Sequence, residues 1–330
     1  MTAPPLFEID GLTKIFRSRR GFPIPRTIVV RAVDGVSLSV SRGEALGIVG
    51  ESGCGKSTLA RVALRLLEAD AGSIRFNGED VLAASPARLR QLRQLMQIVF
   101  QDPSSALDPR QRIGDALAEP LTVHSVTHGA ATAARVRALL DEVGLPGSAL
   151  DRFPHEFSGG QRQRIGIARA LALGPELIFA DEPVSALDVS VQAQILALLA
   201  DLRQRRNLAF VFISHDLGVI RYFCQRAAVM YLGRVVELGP TADLLDRPLH
   251  PYTALLRNSS PIPDPTAGIT MQLQEGEPPS PVNPPSGCHF HPRCPRATGH
   301  CRAVAPTLIE HTPGRHVACH LPLLSRPAIV

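Results

Sequence analysis

Lysine is nearly absent from this chain: of 35 basic residues, only Lys14 and Lys56 are lysine. No apolar run reaches the ~18–20 residues that cross a bilayer as a helix, which argues against a membrane-spanning segment. The opening Met1-Thr2-Ala3-Pro4-Pro5 has neither a charged segment nor an apolar core, so no signal peptide is read there. There is no heptad run and no internal repeat, which excludes a long coiled coil and a repeat solenoid. A chain of this kind is read as cytosolic. Thiols stay reduced there, so clustered cysteines point to metal before disulfides.

What is present fits a folded α/β protein. At 330 residues two domains are expected. Hydrophobic residues at 45% against 20% charged allow a sizeable core. The net charge of +5 is mild and spread among acids, which fits an anionic ligand or a membrane surface and gives no argument for nucleic acid. Residues 1–245 alternate strand and helix patterns. Asn77-Gly78 after Ser73-Ile74-Arg75-Phe76 reads as a hairpin turn, so part of the N-terminal sheet is expected to be antiparallel. Residues 261–286 hold eight prolines and read as a linker or irregular wrap.

Chemistry enters at Gly50-Glu51-Ser52-Gly53-Cys54-Gly55-Lys56-Ser57-Thr58. An apolar run, Ala45-Leu46-Gly47-Ile48-Val49, precedes it and a helical pattern follows. Strand, glycine-rich loop and helix in that order make a phosphate cradle, with successive N–H groups turned into one concavity and a helix N-terminus behind them. Lys56 supplies a compact charge for the β- and γ-phosphates, at a place where an otherwise arginine-biased chain keeps lysine. Ser57 is a Mg²⁺ ligand candidate. The plain alternative is a glycine-rich turn in an unrelated α/β protein.

Two further stretches narrow the chemistry. Leu177-Ile178-Phe179-Ala180-Asp181-Glu182 is an apolar strand ending in two acids. Asp181 suits a Mg²⁺ ligand and Glu182 a general base for water; alone, the pair also reads as solvated acids at a strand end. Phe157-Ser158-Gly159-Gly160-Gln161 then places a capping serine and two glycines before a helix over 161–173, a second anion site. Two such half-sites make sense when two chains face each other head to tail.

The Ser158-Gly159-Gly160-Gln161 run resembles the signature motif of ATP-binding-cassette (ABC) ATPases. Gln101, in Ile98-Val99-Phe100-Gln101-Asp102-Pro103, resembles the family's Q-loop. Ser185-Ala186-Leu187-Asp188 resembles its D-loop, and His215 its switch histidine. The resemblance covers about residues 6–245. It implies two ATPase domains sandwiching two ATP molecules, each held between one phosphate loop and the partner's signature. Gln101 is then expected to contact Mg²⁺ and the attacking water, His215 the γ-phosphate, and Asp188 to reach across the dimer. Phe16 stands where the family stacks an aromatic on adenine; its alternative is a core strand phenylalanine.

The phrases Val99 through Arg110, Asp181 through Gln194, and His250-Pro251-Tyr252-Thr253 are similar to the ATPases of bacterial dipeptide and oligopeptide importers, a branch shared with nickel and glutathione importers. The branch implies a second ATPase subunit (by preference a paralogue), two membrane permeases, an indirect solute-binding protein, and a peripheral place on the cytoplasmic face of the membrane. Cys288, Cys294, Cys301 and Cys319 are spaced x5, x6 and x17. Four thiolates can hold a [4Fe–4S] cluster or zinc, with His289, His291 or His320 as substitutes, or they can simply be packed and reduced. The family tail leans to iron–sulfur. Cys54 stands in the phosphate loop where any small residue fits, open to alkylation beside the helix N-terminus, and Cys224 reads as a core residue.

The expected fold is α/β, a RecA-like phosphate-loop ATPase core with an antiparallel β-lobe from the first 95 or so residues and a helical lobe near 102–163. The ATPase domain is placed at 1–245 and a cysteine-containing extension at 246–330. The function expected is ATP hydrolysis coupled to peptide import. A soluble ABC ATPase of DNA repair or translation is the runner-up, and the signature stretch speaks against a phosphate-loop kinase.

Overall fold

The computed structural model describes residues 4–20, 26–102, 107–259 and 279–323. Residues 1–3, 103–106 of the branch phrase and most of the proline-rich stretch lie outside these. The chain forms two compact units, one from residues 1–7, 40–45 and 76–213, the other from 8–39, 46–75 and 214–330.

In the first unit, Met96–Val99, Leu177–Asp181 and Ala209–Ile213 lie side by side as parallel strands, with Val99 opposite Ala180 and Asp181 opposite Ile213. The last two are buried along their whole length, as strands covered on both faces must be, and their sequences are accordingly continuous apolar runs. Phe7 meets Phe179 edge-on at 5.6 Å in that core. Helices Ile113–Val123, Ala130–Glu142 and Gly159–Leu171 form the helical part, and Val189–Arg206 follows the second strand. Leu117, Leu121, Leu139, Leu140, Ile165 and Leu171 give them a shared apolar side.

In the second unit, Ala45–Val49 runs parallel to Arg226–Tyr231, which turns back through Leu232-Gly233 into Arg234–Pro240. The tail extends this sheet: Arg315–Val317 pairs antiparallel with Arg234–Pro240, and Ile309–Thr312 pairs outside it. A second sheet sets Arg26–Val40, Phe7–Arg20 and Ala71–Phe76 in that order. The expected hairpin turn follows: Asn77 and Gly78 both take left-handed backbone values, φ 51° and 77°, as a two-residue turn of this kind needs. Among the described residues, no helix is long and apolar enough to cross a membrane.

Candidate functional site

The phosphate loop of the second unit leaves the strand Ala45–Val49 and enters the helix Lys56–Ala63. Two of its glycines are required by space. A Cβ on Gly50 would stand 2.2 Å from the Met230 carbonyl oxygen, and one on Gly55, whose φ is +110°, 2.0 Å from that of Ala32. Lys56 is buried; its Nζ donates to the Gly50 carbonyl at 2.8 Å and to that of Glu51 at 3.1 Å, and lies 4.0 Å from Cys54 Sγ. Burial pushes the Cys54 thiol above its ordinary value, so it is a packing residue of the loop. Ser52 and Gly53 are exposed, and Ser57 and Thr58 half-buried.

His215 is exposed in this same unit. Its neighbour Ser214 donates its N–H to the Ile48 carbonyl, which brings the histidine's turn beside the strand that feeds the phosphate loop. Asp216 then caps the helix Leu217–Phe223 through the N–H groups of Gly218 and Val219. Phe16 is 41% exposed, with Lys14 Nζ 5.7 Å from its ring centre, so it is not the core phenylalanine of the alternative reading.

The first unit gathers Gln101, Glu182 and Ser185. Gln101 Nε2 lies 3.3 Å from Glu182 Oε2 and 3.4 Å from Ser185 Oγ, and Ser185 Oγ donates to the Glu182 carbonyl at 3.1 Å. Glu182 holds a left-handed backbone, φ 48°, an uncommon and costly state for a residue with a side chain. The strain is held by its own N–H donating to the Ile213 carbonyl. Asp181, at the strand end, is buried. Asp188 is exposed at the start of Val189–Arg206, and Gln192 ties down the loop before it by donating to the Val184 and Leu187 carbonyls.

The signature stretch is a capping box. Gln161 N–H donates to Ser158 Oγ at 3.3 Å, and Ser158 N–H to Gln161 Oε1 at 3.0 Å, so the glutamine side chain folds back onto its own helix start. A Cβ on Gly160 would lie 2.4 Å from Val191 Cγ1, so close packing demands the glycine.

Cys288, Cys294, Cys301 and Cys319 line one small cavity, together with His250, His291 and His320. Its volume is about 10 Å³, about that of one water probe. Burial raises the thiols of Cys288, Cys294 and Cys319, the last to about 11. Burial opposes ionisation at Cys301 too, but hydrogen bonds at Thr298 outweigh it and lower that thiol. His289 lines a different cavity. No group of three or more His, Cys, Asp or Glu among the described residues is arranged to hold a metal ion. The expectation of an iron–sulfur cluster therefore gains no support, although the four thiols line one cavity.

Sequence reasoning missed the partners of Glu51. Arg293 Nη1 and Nη2 each donate to one Glu51 carboxylate oxygen at 2.9 Å, and Glu51 N–H donates to Tyr252 Oη at 2.9 Å. It also missed buried Glu237, which accepts from the N–H groups of Leu249 and His250 and pairs with Arg315. Both contacts join residues far apart in sequence, and no local pattern announces them.

Two family models match the chain: ABC transporter over residues 33–185, and oligopeptide/dipeptide transporter, C-terminal region, over 236–301. A protein of Brucella ovis named as a peptide import ATP-binding protein is 49% identical over 319 residues, 97% of this chain and 98% of that relative. The oligopeptide transport ATP-binding protein AppF of Bacillus subtilis is 48% identical over 319 residues, 96% of this chain and 97% of its own. Among solved structures, the ATP-binding cassette MJ0796, in a dimeric post-hydrolysis state bound to ADP and Pi, superposes with a TM-score of 0.62 at 27% identity, covering 71% of this chain and 98% of the cassette. With a phosphate loop, a signature helix start and near-full-length identity approaching one half, the chain belongs to the ABC transporter ATPases, in the branch that carries the oligopeptide/dipeptide transporter C-terminal region.

Proposed function

We propose that this ATPase drives import of di- or oligopeptides, bound peripherally at the cytoplasmic face of the membrane to two permease subunits and paired with a second ATPase subunit, by preference a paralogue. The observation that carries the reading is the presence in one chain of the cassette and the oligopeptide/dipeptide C-terminal region. The ATPase domain is assigned to residues 1–245 and the extension to 246–330.

The reaction is attack of water on the γ-phosphate of ATP, giving ADP and inorganic phosphate. The loop residues Gly50 and Ser52 through Thr58, with the Lys56 ammonium, hold the phosphates, and Phe16 faces the adenine. Ser57, Asp181 and Gln101 are the residues to hold Mg²⁺, which when bound neutralises charge developing on the phosphate oxygens. Glu182 accepts the water's proton, and Gln101, already within 3.3 Å of it, orients the water. His215 donates to the γ-phosphate. Ser158, Gly159, Gly160 and Gln161 close over the ATP of the partner subunit, with Asp188 reaching across.

Glu182→Gln keeps the shape and removes the base. In the complex reconstituted with its permeases, this variant is expected to retain bound ATP and stop turning over; undiminished hydrolysis refutes the role. Peptide uptake into proteoliposomes that depends on ATP inside tests the cargo. For the four thiols, which line one cavity with three histidines, the donor chemistry supports a bound metal, [4Fe–4S] or zinc. Iron and zinc assays on anaerobically purified protein decide it, since neither metal near one site per chain ends the metal reading.

A further inference from the structure

The C-terminal extension reaches the phosphate loop itself. Glu51 follows Gly50 directly, and its carbonyl accepts from Lys56 Nζ. Its carboxylate is the one anionic side chain among residues 50–58, set in a loop whose purpose is to hold a polyanion. Arg293 meets that carboxylate with both arms of its guanidinium, each at 2.9 Å, a fork geometry that also fixes the side chain's plane. Tyr252 takes the Glu51 N–H at 2.9 Å and so fixes its backbone.

Neither partner is loosely placed. Tyr252 is fully buried, and the Arg293 side chain is only 9% exposed against 26% for Glu51. Tyr231, Tyr252 and Phe290 pack as one aromatic cluster with ring centres 4.5–5.4 Å apart. The Arg293 guanidinium lies 5.8 Å from the Phe290 ring centre and 6.0 Å from that of Tyr231, within cation–π range. The short turn His291–Arg293 delivers it. Burial works against the guanidinium's charge, but the hydrogen bonds and charge of Glu51 outweigh it and hold the group protonated.

We propose that Arg293 is a positioning residue for nucleotide binding: it neutralises and orients Glu51, so that the phosphate loop presents no free carboxylate to the triphosphate, while Tyr252 fixes the loop's backbone. The extension beyond the cassette is thereby part of the nucleotide site. This rests on the reading of residues 50–58 as the ATP loop, which Lys56→Ala tests separately by abolishing binding.

The test is calorimetric titration of the full chain with Mg-ATPγS. Arg293→Met leaves Glu51 unpaired beside the phosphates and is expected to weaken binding roughly fivefold to tenfold, the effect of one partly screened like charge. Glu51→Gln alone is expected to bind within about twofold of the parent. The double variant is expected to recover most of the loss, because the repelling charge is gone; a purely structural role for Arg293 predicts no such recovery. Should Arg293→Met fail to fold, Arg293→Lys replaces it, keeping charge but losing the fork, with a loss of roughly threefold that Glu51→Gln again relieves. Parent-like affinity in the Arg293 variant, or a loss that Glu51→Gln leaves in place, overturns the proposal. Unchanged binding in Lys56→Ala overturns instead the assignment of the loop.

Discussion

Gly50 and Gly53 stand three residues apart in the same loop, yet for different reasons, and their replacement by alanine separates the two. At Gly50 the obstacle is space. The new Cβ would lie 2.2 Å from the Met230 carbonyl oxygen, 2.9 Å from Cys54 Sγ and 3.2 Å from the Met230 carbonyl carbon. The nearest atom belongs to the backbone of a central buried strand, so the loop must move by about 1 Å to restore ordinary contact. Overpacking of this kind costs about 3 kcal/mol. At Gly53 the obstacle is conformation: φ is +79° and nothing lies within 4 Å of the new Cβ. A side chain in the left-handed region costs about 1–2 kcal/mol. Differential scanning calorimetry without nucleotide reads the difference. At roughly 2–4 °C per kcal/mol for a unit of this size, Gly50→Ala is expected to lower the transition by about 6–12 °C and Gly53→Ala by about a third to two thirds as much. Equal shifts, or a larger one at Gly53, refute the steric account of the loop.

The remaining predictions concern charge. Arg315→Met strips buried Glu237 of its cationic partner and leaves it only the two N–H groups of Leu249 and His250; the loss is expected to be about 3 kcal/mol, and a denaturation midpoint corresponding to less than ~1 kcal/mol refutes it. Burial alone raises the carboxyl of Asp34, but Arg234 at 2.7 Å and Arg31 at 3.3 Å outweigh it and hold it below its ordinary 3.8. As pH falls the unfolded chain takes up that proton first, so the stabilisation is complete above the ordinary value and disappears below it. The stability deficit of Asp34→Asn is therefore expected to shrink between pH 7 and pH ~3, and a constant deficit in urea titrations across that range contradicts the pairing.

Much of the site was legible because its chemistry is local. Spacing alone announces the phosphate loop, since glycines at fixed intervals between a strand and a helix have few other uses. Ser158 was readable as a cap, and its partner at Gln161 follows the capping-box spacing. Asn77-Gly78 was readable because few other residue pairs accept two left-handed conformations in succession. The Glu51–Arg293 contact spans 242 residues and leaves no periodic trace. The run around Cys294 draws attention to sulfur, while the arginine beside it makes the contact with the loop. Exposure of Phe16 was equally invisible, because a lone aromatic in a strand pattern reads the same on either face. That each unit draws on separate stretches of the chain is a further consequence of tertiary contact that composition along the chain does not encode.

The strand Arg315–Val317 has a consequence beyond its own few hydrogen bonds. By lying against Arg234–Pro240 it seals a row of main-chain donors and acceptors that includes Glu237 and Leu238. The border that remains is Ile309–Thr312, only four residues long and bearing Glu310, a short and charged rim of the kind that discourages neighbouring molecules from adding strands. Proteolytic clipping ahead of residue 309 would bare a longer and largely apolar margin, inviting stacking between copies. The tail thus acts as a hem for the sheet, and evolution cannot discard it without supplying another cover.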